Sequence, residues 1–536
     1  MTSPAKRHLS IYLRAPMALI AFAVVAIALI APTGALAKTR SPRRGSEVIV
    51  QLRHGTPIAA GRALVRAAGG RPGVSLSIID GLSARLSATG VRRLRADARV
   101  RAVTPNARLK SQDYGSPQVP SRRALATNVN RAVDATHLWG ESTGKGVGVA
   151  VIDTGIAGQL PDFRDDDRQS RVVASAVIDP HATSADDTYG HGTAVAGMIA
   201  GNGDQLNPND NDWGSYVGTA PNANLISIKI ADDAGSSTIL DAIYGLQFAV
   251  DHQNEYDIRV INMSFRSTTA NSYATDPLDA AAEQAWNHGI VVVAAAGNVG
   301  DASDAVDYAP ANDPYVLTVG ATDTNGTNRA SDDWIPSWSS QGTTQDGFTK
   351  PDVLAPGDHI VTTLSPGSDF ASECPSCIID GSYFQLSGTS LAAPVVAGIA
   401  ADLAADHPDW SPDQIKGAIV DSANPIDGNG REVDAADADV DYNAPPADQG
   451  LTPSTMLDAD TGDIDYNAAS WSAASWSSAT DPLAASWSAA SWSCEDCTAP
   501  ADGSTGSGGD TGGDGGGDVA PTAASWSSLG WASLFN

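Results

Sequence analysis

Apolar residues along this chain follow two periods, and their alternation divides it into recognisable parts. Between 46 and 110, Glu47–Leu52 and Ser75–Ile79 alternate or run apolar in the manner of strands. Ala59–Ala68 and Thr89–Ala96 carry apolar residues at helical spacing, and Val100–Val103 reads as a last strand. From about 130 the strand-like runs become mostly apolar: Val147–Ile152, Leu225–Ile230, Arg259–Met263, Gly289–Ala296 and Val316–Val319. Helical stretches at Thr193–Ala200, Ser237–His252 and Asp276–His288 lie between them. Strands buried on both faces and separated by helices predict an α/β body built on a mostly parallel sheet. Ligands of such sheets bind beyond the carboxyl ends of the strands, where Asp153 and Asn298 stand.

Three other segments lack this pattern. Residues 1–37 carry Lys6, Arg7 and Arg14, then an apolar run from Met17 to Ala31, then Ala35-Leu36-Ala37, the three parts of a secretory signal. The run is shorter than the roughly 20 residues of a membrane span, so export with cleavage after Ala37 is expected. No later stretch is long and apolar enough to cross a membrane. Asp113–Arg123 is rich in Ser, Pro and Gly and reads as an exposed linker open to proteolysis. After about Asp441 the chain turns to Ala, Ser, Asp, Gly and Trp, with Ala-Ala-Ser-Trp-Ser five times, starting at 468, 473, 484, 489 and 523. Such a tail is either a flexible appendage or a row of aromatic platforms for a wall polymer, a glycan or a protein partner.

Charge sharpens the division. The formal net charge is −29, but residues 38–125 hold 18 Lys and Arg against four acidic residues, while 126–536 hold 12 against 58. A segment of net +14 therefore precedes one of net −46, which argues against a nucleic-acid partner for the body and suggests that the two parts attract each other. The four cysteines form two Cys-x-x-Cys pairs, Cys374/Cys377 and Cys494/Cys497. In an exported chain these read as disulfides of open connectivity, and in a reduced one as metal or redox sites.

The candidate chemistry starts at Ser387-Gly-Thr-Ser-Leu-Ala-Ala-Pro394, where Ser390 opens an apolar helix, Leu391–Ala405. A serine there either caps the helix or acts as a nucleophile with backbone N–H groups beside it. A nucleophile needs a base, and His191 in Tyr189-Gly-His-Gly-Thr193 has a suitable setting. The base needs a buried carboxylate, which Asp153 at the end of a strand would supply. Asp153-Thr-Gly155 is also an aspartic-protease triplet, but its later copies at Asp460 and Asp510 follow no buried strand. An α/β-hydrolase would need Gly-x-Ser-x-Gly and another residue order.

Together, Val151-Ile-Asp-Thr-Gly155, Gly190-His-Gly-Thr193, Ala294-Ala-Ala-Gly-Asn298 and Ser387–Pro394 resemble the subtilisin-like serine proteases over about 130–435. Residues 46–110, clearest at Ile79–Leu86, resemble that family's propeptide. The resemblance implies a subtilisin-like three-layer α/β sandwich with domains at 1–37 (signal), 38–115 (propeptide), 116–129 (linker and processing region), 130–436 (catalytic) and 437–536 (low-complexity tail). It implies a secreted, self-processing serine endopeptidase acting on polypeptides, with Asp153, His191 and Ser390 as triad and Asn298 with the Ser390 N–H as oxyanion hole. Its own propeptide would be the inhibitor, cut between Lys110 and Arg123. Substrate strands would pair with Ala234-Gly235-Ser236 and Ser264-Phe265-Arg266. Phe265 and Arg266 replace the family's usual small pair, so Arg266 points to an acidic P1 residue or else to solvent. No cofactor is required; structural Ca2+ would fall to Asp162 with Asp204, Asp210 and Asp212, oxygen ligands that suit the ion. The competing reading is a cell-surface binding protein, weak in catalysis, that works through its Trp-rich tail.

Overall fold

The computed structural model describes residues 45–111, 129–206, 210, 215–426 and 430–455. The signal-like segment, the linker, Asp212 and the Trp-rich repeats, with Cys494 and Cys497, lie outside them.

The N-terminal part forms β1 (Ser46–Leu52), α1 (Ile58–Ala67), β2 (Arg71–Leu76), β3 (Gly81–Leu86), α2 (Ala88–Arg95) and β4 (Val100–Pro105), and a short β5 (Leu109–Ser111) follows. The first four strands make an antiparallel sheet in the order β2-β3-β1-β4. Strand alternation explains how it sits. Val48, Val50 and Leu52 point to one face, where α1 and α2 close a small core of their own. Ile49, on the other face, joins Leu76 and Ile79 in the main core of the body. The unit is thus amphipathic on two sides, and its second apolar face is buried by the rest of the chain. β3 was not among the expected strands, because Gly81-Leu-Ser-Ala-Arg-Leu86 mixes small and charged residues, and its place as a central strand is what buries it.

The body's elements are β6 (Gly148–Asp153), β7 (Val172–Val177), α3 (His191–Ala200), β8 (Asn224–Lys229), α4 (Ile239–Asp251), β9 (Ile258–Met263), β10 (Phe265–Ser267), α5 (Pro277–Asn287), β11 (Val291–Ala295), β12 (Leu317–Thr322), β13 (Val353–Pro356), α6 (Thr389–Asp406) and α7 (Pro412–Ser422). The main sheet runs Asn424–Pro425, Arg431–Glu432, β13, β12, β11, β9, β6, β8, β7. Every described pairing in it is parallel except the edge hairpin of Asn424 and Glu432. β6, β9 and β11 are buried along nearly their whole length; β6 and β11 carry unbroken runs of Val, Ile and Ala, while Arg259 and Asn262 interrupt that of β9. β7 escaped notice because it is an edge strand with alternating exposure.

Contrary to the sequence expectation, α6 is long and apolar enough to span a membrane by composition, but 89% of that stretch is buried inside the protein. It packs along α3 and across β9, β11, β12 and β13. A helix apolar all round is a core helix. This one carries Ser390 in its first turn, so the nucleophile candidate stands on a helix buried along nearly its whole length.

Candidate active site

Asp153 is the last residue of β6, and its Oδ1 accepts from the Thr154 N–H at 2.7 Å and from His191 Nδ1 at 2.6 Å. Both side chains are fully buried. Burial pushes the Asp153 carboxyl above its ordinary range, against the pull of the His191 ring. The approach of α3 to β6 depends on Gly192, where a Cβ would lie 2.2 Å from the Gly155 carbonyl oxygen.

A second carboxylate holds the histidine turn, and sequence reasoning did not single it out. Asp187, 2% exposed, accepts from Gly190 N–H and the Thr154 hydroxyl through Oδ1 and from Thr193 N–H through Oδ2, each at 2.8 Å. Thr154 Oγ1 in turn accepts from Gly192 N–H at 2.9 Å. The first-turn N–H groups of α3 thus find acceptors from an adjacent loop, because Gly190, at the N-cap, has no side chain to offer. The signal was present as an aspartate three residues before Gly190. Phe370 covers the His191 ring edge-on, centroids 6.3 Å apart.

Gly388 likewise cannot cap α6. Asn298, just past β11, does so instead: its Oδ1 accepts from Thr389 N–H at 3.0 Å and Thr389 Oγ1 at 2.9 Å. Thr389 Oγ1 also accepts from Gly297 N–H at 3.1 Å. Gly297 has φ +120°, a conformation that swings the chain from β11 towards α6. Both bonds go to the oxygen of the Asn298 amide, which makes Nδ2 its donor end.

Pro394 lies inside α6 and has no N–H for the carbonyl four residues earlier, that of Ser390. The Ser264 hydroxyl donates to it at 2.9 Å, and Asn262 Nδ2 holds that hydroxyl at 2.9 Å. Ser264 therefore braces the Ser390 backbone, and strand pairing begins one residue later.

That pairing is made by the chain itself. β5 runs antiparallel to β10 in the register Phe265↔Ser111, Arg266↔Lys110 and Ser267↔Leu109. On its other side Leu109 N–H donates to Ser237 O at 3.1 Å, Ile239 N–H to Ala107 O at 2.7 Å, and Arg108 bridges Thr238. Residues 107–111 thus thread between two backbone edges. The edge on the 234 side lies at Ser237–Ile239. Ala234, Gly235 and Ser236 form the preceding turn, closed on Asp232. Asn106 Oδ1 accepts from Leu240 N–H in the first turn of α4. The Arg266 guanidinium lies 4.0 Å above the Tyr308 ring, whose hydroxyl donates to Asp304 at 2.6 Å.

Asp162 is buried, and protein donors take its oxygens: Gln205 N–H at 2.9 Å and Tyr383 O–H at 3.0 Å on Oδ1, Thr363 O–H at 2.6 Å on Oδ2. Asp204 and Asp210 are exposed. Each Asp162 oxygen thus already accepts a hydrogen bond from the protein. Cys374 and Cys377 are joined as a disulfide.

A family model described as Peptidase S8, subtilase family, matches residues 144–452. Serine protease AprX of Bacillus subtilis (strain 168) is 36% identical over 308 residues, 56% of this chain and 67% of the relative. Thermitase of Thermoactinomyces vulgaris is 33% identical over 298 residues, 56% and 88% of the two chains. Among solved structures, fervidolysin from Fervidobacterium pennivorans, a keratinolytic enzyme related to subtilisin, aligns with a TM-score of 0.56 at 25% identity, over 75% of this chain and 61% of that one.

Proposed function

From the premise that the chain belongs to the subtilase family and is a serine-type endopeptidase, we propose that it is made as a secreted zymogen whose residues 38–115 inhibit a catalytic domain at 130–436. The signal-like 1–37 directs export, and processing falls between Lys110 and Arg123. In this reading Ser390 Oγ attacks the scissile carbonyl carbon while His191 takes its proton, with Asp153 orienting the ring. The oxyanion is held by Asn298 Nδ2 and the Ser390 N–H, at the N-terminus of α6. Collapse breaks the C–N bond, and His191 returns the proton to the leaving amine. Water then attacks the acyl-enzyme by the same route.

The observation that carries the reading is the place of β5. A basic segment of the same chain lies as an added strand on β10, one residue from the serine that braces Ser390. Peptides bind sheet edges in this way through main-chain bonds, with side chains alternating between subsites. The inhibitor is a strand held in the substrate's place.

The test is the fate of the basic segment. Active chain should lose it and react with a serine-directed phosphonate. Ser390→Ala should retain it and remain unlabelled. Peptide hydrolysis by the Ser390→Ala chain would refute the assignment.

A further inference from the structure

We propose that Asp323, Asp358 and His359 form a binding site for a divalent transition-metal ion of the zinc class. Asp323 follows β12, and Asp358 and His359 follow β13, so two adjacent parallel strands deliver all three side chains to one place. The three residues are 8%, 4% and 6% exposed. One nitrogen or oxygen from each lies within 4.8 Å of the other two.

The separations distinguish this cluster from an ordinary hydrogen-bonded one. His359 Nδ1 is 3.5 Å from Asp358 Oδ1 and 3.6 Å from Asp323 Oδ2, longer than good N–H···O bonds. Zinc bonds of about 2.1 Å at tetrahedral angles place neighbouring ligand atoms about 3.4 Å apart, close to both values. Asp358 Oδ1 is also buried with no hydrogen-bond partner and points at the cluster. A buried carboxylate oxygen without a donor is costly, and a cation would remove that cost. Two carboxylates and a neutral imidazole balance a dication, and the nitrogen ligand favours zinc-like ions over calcium or magnesium. By contrast, in Asp406, His407 and Asp439 the ring already bonds Asp439 at 2.8 Å.

The cluster is held on a rigid frame. Asn325 N–H donates to Asp323 Oδ1 at 2.8 Å, and the backbones of Asp323 and Trp334 exchange bonds of 3.0 and 3.2 Å. His359 N–H donates to Ser387 Oγ, and Gly388 N–H to Gly357 O, both at 2.8 Å. The same loop therefore holds the turn that leads into Ser390, and an ion there would fix the backbone on which the nucleophile stands.

The test uses the full chain as Ser390→Ala, to prevent autolysis, with Cys494→Ser and Cys497→Ser, to remove a competing thiol pair. After chelator and dialysis, calorimetric titration with Zn2+ should give saturable one-to-one binding. Asp358→Asn and His359→Gln should each weaken it at least about tenfold. Absence of saturable binding, or an affinity in both variants equal to that of the parent, overturns the site and leaves a simple ion cluster. If the variants fail to fold, Co2+ added to the parent decides: intense visible bands of a four-coordinate ion support the site, and the weak spectrum of a six-coordinate one refutes it.

Discussion

Thr389 gives both its backbone N–H and its hydroxyl to the side-chain oxygen of Asn298. The residue before the nucleophile thereby fixes which end of the Asn298 amide can act as donor. One contact caps α6 and, in the proposed mechanism, orients an oxyanion ligand. Asn298→Ala should lower kcat with little change in KM, by about 10²–10³, the loss known for the equivalent asparagine of a subtilisin. Thr389→Val keeps the N–H bond and loses the hydroxyl, so its kcat should fall less, by about tenfold, the rate equivalent of one hydrogen bond. Steady-state kinetics on one peptide separate the two. Equal losses in kcat and KM would contradict the orienting role.

Ser264 gives a second prediction. Ser264→Ala leaves the Ser390 carbonyl without the donor that replaces the missing N–H of Pro394. Orphaning a buried acceptor costs about 1–3 kcal/mol. Urea unfolding of the inactive Ser390→Ala chain should show a loss of that size, and turnover of the active form should fall with it.

Arg266 faces Lys110 directly across the β5–β10 pair. Like charges opposite one another on a sheet repel by about 0.2–1 kcal/mol. Peptide substrates bound in that register should therefore favour Glu over Lys opposite Arg266 by a few-fold in kcat/KM at low salt, less at high salt. Arg266→Glu should invert the order. A preference that ignored both the mutation and the salt would mean that the guanidinium, stacked on Tyr308, does not meet the substrate.

Asp162 predicts a pH effect on stability. Burial raises its carboxyl from 3.8 to about 6, while Thr363, Gln205 and Tyr383 pull the other way. The folded state then binds this proton more tightly than the unfolded one, so stability from this group is greatest below the unfolded value and is lost as pH rises from about 4 to about 6. Asp162→Asn should flatten that part of the Tm-against-pH curve and should not destabilise at neutral pH. A steeper curve in the variant would show that the carboxylate is the favoured form.

The sheet strands of the body were legible because both their faces are buried, so they read as mostly apolar runs. α6 was legible for the same reason. Asp153, His191, Asn298 and Ser390 could be singled out because each stands at a strand or helix end within two residues of a glycine, a placement readable in the local sequence. Asp187 was missed because an aspartate before a helix is common, and only the fold shows it holding the turns of both Thr154 and His191. The backbone edge at Ser237–Ile239 that pairs with residues 107–109 could not be read locally either, because a backbone edge exists only when two distant segments lie side by side. The same holds for Asp323, Asp358 and His359, which are 35 residues apart in sequence and adjacent only because β12 and β13 pair. Sequence by itself determined the elements and the reactive residue types, since local period and chain order carry both. Tertiary structure alone decided which donors meet which acceptors, because the burial that makes those contacts count is created by packing.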